Sequence, residues 1–265
     1  MRSLVILRRV LDPAGIVAHR RLRRIFVNRE RYLIEPADHC ALEAALRIKD
    51  AVGGNVVVAS GQPEPDEDTL RRGVAMGADR GVYLCGERFE GADDAVVARA
   101  LRAVIDQLGA IDLVMAGATT LDTGQGQLGG RLAELLGWPH ISGAFSAEPV
   151  DGRMRTVCRR GSDDTAVEAD LPAVVLMAPG ALKPRYPDGV RLINVYRGNG
   201  GMEGVVERWH VDEHLSPIET TPLLESIGRD FPPERQRGEL LEGTLDDVAR
   251  TVADALRSRL RGWGE

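Results

Sequence analysis

The residues best placed to do chemistry lie between 112 and 139, in the run DLVMAGATTLDTGQGQLGGRLAELLGWP. Leu113, Val114 and Met115 read as a short buried strand, and Leu128, Leu132, Leu135 and Leu136 recur at the spacing of one helix face. Gly117, Gly124, Gly126, Gly129 and Gly130 punctuate the stretch between and after them. Glycine lets a backbone turn sharply and approach a ligand, and the first amides of a helix, at the positive end of its dipole, attract phosphate. The chemistry implied is nucleotide binding. Gly124, Gln125, Gly126, Gln127, Leu128 and Gly129 satisfy G-x-G-x-x-G, so a nicotinamide dinucleotide dehydrogenase has to be weighed. In that fingerprint the first glycine follows the strand almost directly, whereas here a polar insert over residues 118–123 intervenes. Glu148 stands about where a ribose-binding acid belongs, yet residues 140–146 read as a poor strand.

Other chemistries have no visible carrier. No Ser/His/Asp or Cys/His set stands out by spacing. Cys40, Cys85 and Cys158 are far apart and odd in number, which excludes a disulfide framework or a paired redox motif. His210, Asp212, Glu213 and His214 do not have the spacing of a zinc helix and read as a solvated loop.

The elements that must position the glycine-rich turn alternate. Residues 4–7, 56–60, 82–84, 113–116 and 173–177 read as buried strands, and residues 66–76 and 93–108 as helices, the first followed by Gly77 as a C-cap. Alternation of this kind predicts an α/β fold, a doubly wound and mostly parallel sheet with helices on both faces. Beyond residue 196, Gly198, Gly200, Gly201, Gly204, Pro217, Pro222, Pro232 and Pro233 suggest an extended arm, ending in a helix over 245–260 with an apolar stripe. The expected organisation is a domain over 1–196 and an arm and helix over 197–265. With 43% hydrophobic residues the chain of 265 has ample core. Its net charge of −6 gives no reason to expect nucleic acid, although arginines between 20 and 31 form a basic strip, read as a solvated hairpin or helix face. The absence of a long apolar run or a leader-like start predicts a cytoplasmic protein with no membrane insertion.

Taken whole, the glycine-rich stretch resembles the nucleotide loop of electron transfer flavoprotein (ETF) β-subunits, A-G-x-x-x-x-D followed by Q-x-G and L-A-x-x-L-G-x-P, at Ala116, Gly117, Asp122, Gln127, Gly129, Leu132, Ala133, Leu136, Gly137 and Pro139. Four further blocks match in order: LVILRRVLDP, EPADHCALEAALRIKD, TLRRGVAMGADRGVYL and LPAVVLMAPGALKPRYP, so that the resemblance covers roughly residues 1–190. It implies a redox carrier subunit rather than a stand-alone enzyme. Such a subunit pairs with an FAD-binding α-subunit, passes electrons from a dehydrogenase to a downstream acceptor, and holds AMP, or in bifurcating members a second FAD. Carried over residue by residue, the nucleotide site comprises Ile6, Pro36, Ala37, Asp38, Ser60, Gly117, Asp122, Thr123, Gly124, Gln125, Gly126, Gln127, Leu128 and Gly129, with phosphate on the amides of residues 123–128. Partner docking falls to Ala181, Leu182, Lys183, Pro184, Arg185 and Tyr186, where Ala181 replaces the family's leucine anchor. Pro13 and Ala37 stand where mitochondrial members have aromatics near the flavin, and FEGADDA is closer to bifurcating members. The loop lacks their G-D-T-A-Q wording, which favours AMP. A stand-alone adenine-nucleotide sensor is the alternative reading, since one fold serves many functions.

Overall fold

The apolar runs expected as strands form the centre of one sheet in the computed structural model, which describes residues 1–61, 67–89, 91–197, 204–214, 218–224, 227, 231, 238 and 240–261. Gly198, Gly200, Gly201, Pro217, Pro232 and Pro233, on which part of the expected arm rests, lie outside the described residues. The chain divides into two units, Met1–Ile227 and Gly228–Glu265.

In chain order the first unit contains β1 (Arg2–Ile6), β2 (Arg9–Leu11), β3 (Ile16–His19), β4 (Arg24–Val27), β5 (Tyr32–Ile34), α1 (Pro36–Val52), β6 (Asn55–Ser60), α2 (Glu67–Met76), β7 (Arg80–Cys85), α3 (Asp94–Leu108), β8 (Leu113–Gly117) and α4 (Gln127–Leu136). There follow β9 (His140–Ala144), β10 (Glu148–Val150), β11 (Arg153–Arg160), β12 (Asp163–Asp170), β13 (Ala173–Met177), α5 (Gly189–Arg197), β14 (Val206–His210) and the single turn α6 (Val211–His214). The main sheet runs β10-β11-β9-β13-β8-β1-β6-β7-β14, with β12 paired to β11. From β9 to β14 along that order every pairing is parallel.

Side-chain alternation along the strands splits the core in two. Leu4, Ile6, Val114, Ala116 and Leu176 pack with Val96, Leu101, Leu128 and Leu132 of α3 and α4 on one face. Val5, Leu7, Leu113, Met115 and Val175 pack with Leu42, Leu46, Leu70 and Val74 of α1 and α2 on the other. Both faces are covered, which is why these strands read as continuous apolar runs. The helix ends follow local chemistry. Pro36 opens α1, the Glu35 carboxylate accepts from the Ala37 amide at 3.4 Å, and Gly53 closes it at φ 73°. Asp93 caps α3 by accepting from the amides of Ala95 and Val96 at 3.1 and 3.0 Å.

Several expectations need correction. Residues 140–146 are not a poor strand: His140–Ala144 is β9, held by β13 on one side and β11 on the other. Ser142 and Gly143 hide it in the sequence, but neighbours on both edges supply the hydrogen bonds that low strand propensity would forfeit. Residues 206–210, expected in the arm, form the edge strand β14, seated on β7 with Trp209 buried. His210 ends that strand and residues 211–214 make a helical turn rather than a loop, with Asp212 and Glu213 exposed. Among the described residues no cluster of potential metal ligands occurs. The basic strip is a hairpin, β3 paired with β4. Among the described residues no helix is long and apolar enough to cross a membrane.

The second unit contributes α7 (Leu245–Arg261). Thr244 caps it, its Oγ1 accepting from the Asp247 amide at 3.3 Å. Leu245 and Leu256 of its stripe are 85% and 56% exposed.

Candidate functional site

A doubly wound sheet opens a crevice where consecutive crossovers leave to opposite sides. Here that point is the carboxyl edge between β1 and β8, because α1 follows β1 on one face and α4 follows β8 on the other. Ile6, Ser60 and Gly117 end β1, β6 and β8 at this edge, and Pro36, Ala37 and Asp38 form the first turn of α1 beside it. The fold brings these residues to one edge.

Their chemistry differs in one respect. The Asp38 carboxylate is fully buried and accepts four hydrogen bonds, from the Arg8 amide (2.8 Å), Arg8 Nε (2.9 Å), Arg8 Nη2 (2.8 Å) and the Gly117 amide (2.6 Å). Arg8 Nη2 also donates to the Gly117 carbonyl at 3.2 Å. Asp38 therefore joins the end of β1, the start of α1 and the end of β8 rather than presenting a free carboxylate. Burial works against the Arg8 charge, but the charge and hydrogen bonds of Asp38 outweigh it and raise the guanidinium pKa. Gly117 has no alternative, since a Cβ there would lie 2.6 Å from the Ala37 Cβ and 2.8 Å from the Asp38 amide.

The loop after β8 is held by the same edge. Buried Glu35 accepts from the Leu121 amide at 2.8 Å, and burial pushes its carboxyl pKa up although that bond and the Ala37 amide oppose the shift. Within the loop Thr120 donates to the Gln125 carbonyl (2.8 Å), Gly124 to the Thr120 carbonyl (2.9 Å) and Thr123 to Asp122 Oδ1 (2.7 Å). The Gln125 amide reaches Thr123 Oγ1 at 3.3 Å. Asp122 thus folds the loop, and the helix-capping position belongs to Gly126, which offers no side chain. A Cβ on Gly126 would collide with the Ala118 carbonyl, so that glycine allows a close backbone approach, and one on Gly129 would collide with the Leu176 side chain, so that glycine lets α4 pack close on β13. Of the amides at 123–128, those of Thr123, Gly124 and Gln125 are engaged by the loop. The Leu128 amide turns to the Asp94 carboxylate. Gly126 and Gln127 are exposed residues at the start of α4. Exposed Gln127 accepts from Arg131 Nη2 at 2.8 Å.

Sequence reasoning missed Arg8, Glu35, Asp94 and Arg131. Arg8 had a signal, because it stands directly after the first strand within a matched block. Asp94 lies at the start of the helix expected over 93–108, with no feature of its own in the sequence. Its carboxyl pKa is pushed up by burial, against the pull of Arg8 and Arg131.

Residues 181–186, expected to dock a partner, lie along α1. The Arg185 amide and Nε donate to Glu43 Oε2 at 3.0 and 2.9 Å, and its Nη2 sits 2.9 Å from Asp50. Ala181 and Leu182 pack partly against the core, Cys40 donates to the Leu182 carbonyl at 3.3 Å, and Tyr186 is 87% exposed.

The family model for the electron transfer flavoprotein domain matches residues 24–214. The chain is 27% identical over 260 residues to electron transfer flavoprotein subunit beta of Thermoanaerobacterium thermosaccharolyticum, covering 98% of this chain and 99% of that protein. It is 30% identical over 230 residues to the same subunit of Methylophilus methylotrophus, covering 83% and 84%. It is 29% identical over 269 residues to the caffeyl-CoA reductase-Etf complex subunit CarD of Acetobacterium woodii, covering 98% and 99%. The chain belongs to the electron transfer flavoprotein family, as a beta-subunit member with a role in electron transfer. Membership implies flavin-associated electron-transfer machinery, a partner subunit and redox partners.

Proposed function

We propose that the carboxyl edge between β1 and β8 binds an adenine nucleotide, AMP in first place and a second FAD as the alternative, and that the chain pairs with an FAD-binding α-subunit to relay electrons from a dehydrogenase in the cytoplasm. The observation that carries the reading is the edge itself: Arg8, Asp38 and Gly117 lock together the end of β1, the start of α1 and the end of β8, from which the glycine-rich loop leads into α4. The donor set suits a monophosphate. The amides of Gly126 and Gln127 lie at the positive end of the helix, and Arg131 follows one turn later. Glu35 and Asp94 add negative charge at the same rim, and their raised pKa values mean that a bound phosphate would favour their protonation further. Main-chain groups at Ile6 and Ser60 would read the adenine. The flavin held with the partner supplies the redox chemistry; residues of this chain bind, orient and exclude water.

The segment 181–186 would meet the dehydrogenase, with Arg185 holding the segment on Glu43 and exposed Tyr186 offering contact. Residues 197–265, with the apolar stripe of α7, would pack on the α-subunit. Denaturing the purified protein and identifying the released nucleotide tests the site: AMP or FAD supports it, whereas ATP points to a stand-alone sensor and NAD to a dehydrogenase. Gly126→Val is a poor probe, because it strikes the loop's own backbone. Arg131→Ala, at a half-buried position whose side chain pairs only with Gln127 among the hydrogen bonds described, is better, and unchanged nucleotide content in that variant would remove Arg131 from the site.

A further inference from the structure

Two adjacent acids at the start of α3 have opposite environments. Asp93 caps its own helix, and its carboxylate also accepts from the Leu223 and Leu224 amides at 2.8 and 3.1 Å. Burial works against that charge, but the amides of Val96, Leu223, Leu224 and Ala95 outweigh it and hold the Asp93 carboxyl below its ordinary 3.8. Asp94 serves a different helix. Its half-buried carboxylate accepts from the Leu128 amide in the first turn of α4. Burial pushes this carboxyl up, Arg8 and Arg131 pull against the shift without cancelling it, and the Asp93 charge adds to it.

The capping position of α4 is Gly126, which has no side chain to offer, so an acid from another helix takes up one of the unpaired amides of that first turn. These amides are also the donors that would hold a nucleotide phosphate. Val96 and Leu128 belong to one buried cluster, which keeps the two first turns side by side. Among the described residues, the charges acting on Asp94 are Arg8 at the end of β1, Asp93 on α3 and Arg131 on α4. Arg8 is itself committed to Asp38 and also feels Glu35, whose carboxylate holds the Leu121 amide at the other end of the glycine-rich loop. Two guanidinium groups thus stand among four carboxyl groups. A phosphate entering here meets an excess of acid, and Asp94 is the acid that already occupies a helix amide.

We propose that Asp94 is a specificity-determining residue of the nucleotide site: its carboxylate competes with the ligand's phosphate for the amino end of α4, so that binding is opposed by charge and takes up a proton at Asp94. The proposal rests on the nucleotide reading of this edge. A phosphate that adds its charge beside Asp94 makes the carboxyl hold its proton more tightly. Affinity is therefore full where Asp94 is already protonated, and it falls as pH rises through the titration of that carboxyl, which lies above the ordinary 3.8. A ligand with more phosphate charge meets more opposition, so the site prefers AMP to ATP.

The test titrates AMP, ATP and adenosine into the nucleotide-free full chain by calorimetry, from mildly acidic to mildly alkaline pH, in buffers whose different ionisation enthalpies report proton uptake. Wild type is compared with Asp94→Asn and Asp94→Glu. Asparagine caps a helix as well as aspartate does, so Asp94→Asn keeps an acceptor for the Leu128 amide and removes the charge. It binds AMP roughly tenfold more tightly than wild type at alkaline pH, the effect of one unit charge a few ångströms away, gains more for ATP and is unchanged for adenosine. The gap narrows on acidification, and Asp94→Asn takes up fewer protons than wild type. A phosphate monoester titrates near about pH 6 in both proteins alike, so the difference between them belongs to Asp94. Asp94→Glu returns the wild-type preference. Asp94→Ser, a second neutral cap, repeats the comparison if asparagine lowers the melting temperature. Equal AMP affinity and equal proton uptake in wild type and the neutral variants, or weaker AMP binding by the neutral variants, makes Asp94 a structural cap and overturns the proposal while the site stands. If wild type and folded Asp94→Asn both fail to bind AMP at every pH, the nucleotide reading falls and the proposal with it.

Discussion

Two hairpins of this molecule are built from similar residues and end in opposite states. In β11–β12 the register places Arg153 opposite Asp170, Arg155 opposite Glu168 and Arg159 opposite Asp164, and each pair is an ion pair, at 2.8, 2.7 and 3.0 Å. The alternate positions Met154, Thr156 and Cys158 are buried. In β3–β4 the register sets His19 against Arg24, and no position of either strand is buried. One hairpin pairs its charges across the strands and buries its alternate positions; the other keeps both strands exposed throughout. The carboxyl edge of the sheet belongs with the first kind, since Asp38, Arg8 and Gly117 saturate one another. A small-ligand site needs such rigidity, because backbone approach tolerates little displacement, whereas a protein interface needs surface that folding has not consumed.

The largest effect is expected at the edge. Asp38→Ala strips Arg8 and the Gly117 amide of their acceptor and leaves a buried guanidinium unpaired, a loss of about 3–5 kcal/mol in denaturant unfolding. A stability close to wild type would place that edge among the unsatisfied regions instead. Next comes a matched pair of substitutions. Met154→Asp buries a carboxylate on the inner face of β11 and costs about 3 kcal/mol, whereas Ile25→Asp in the open ribbon costs about 0.5 kcal/mol or less in the isolated chain. Equal losses from the two would erase the distinction between the hairpins.

Arg185→Ala is intermediate, about 1–3 kcal/mol, because Arg47 still pairs with Glu43 at 2.7 Å. Its pH dependence follows from Glu43, whose carboxyl burial would raise but which Arg185 and Arg47 hold below the ordinary 4.5. A depressed folded-state pKa gives stability that is present above the unfolded value and lost as pH falls through the folded one. The melting-temperature gap between wild type and Arg185→Ala is thus full at neutral pH and narrows below 4.5. A gap that widens on acidification would mean that Arg185 does not act through Glu43. The smallest effect is at the surface. Arg155→Ala removes one exposed cross-strand pair and costs about 0.2–1 kcal/mol, diminishing in high salt. Arg24→Ala in the ribbon leaves the isolated chain unchanged by the same melting measurement, since no acid faces it across the register.

Local pattern made much of this fold legible. Continuous apolar runs marked β1, β6, β7, β8 and β13, because strands covered on both faces leave no polar positions to interrupt them. The helix over 93–108 was equally plain, being a matter of local 3.6-residue periodicity. β9 and β14 were not, since their membership depends on neighbours distant in sequence rather than on their own composition.

The site divides in the same way. From residue types and order alone follow the family, the glycine-rich turn before α4 and the place of Ile6, Ser60, Asp38 and Gly117 at one edge. Tertiary structure alone decided that Asp38 is consumed by Arg8 and by Gly117, 79 residues away in the chain, that Asp94 reaches the amino end of α4, and that one arginine-rich hairpin buries alternate positions while both strands of the other are exposed. Each is a choice of electrostatic partner across the fold. Sequence records which charges exist, but burial and register determine which of them meet.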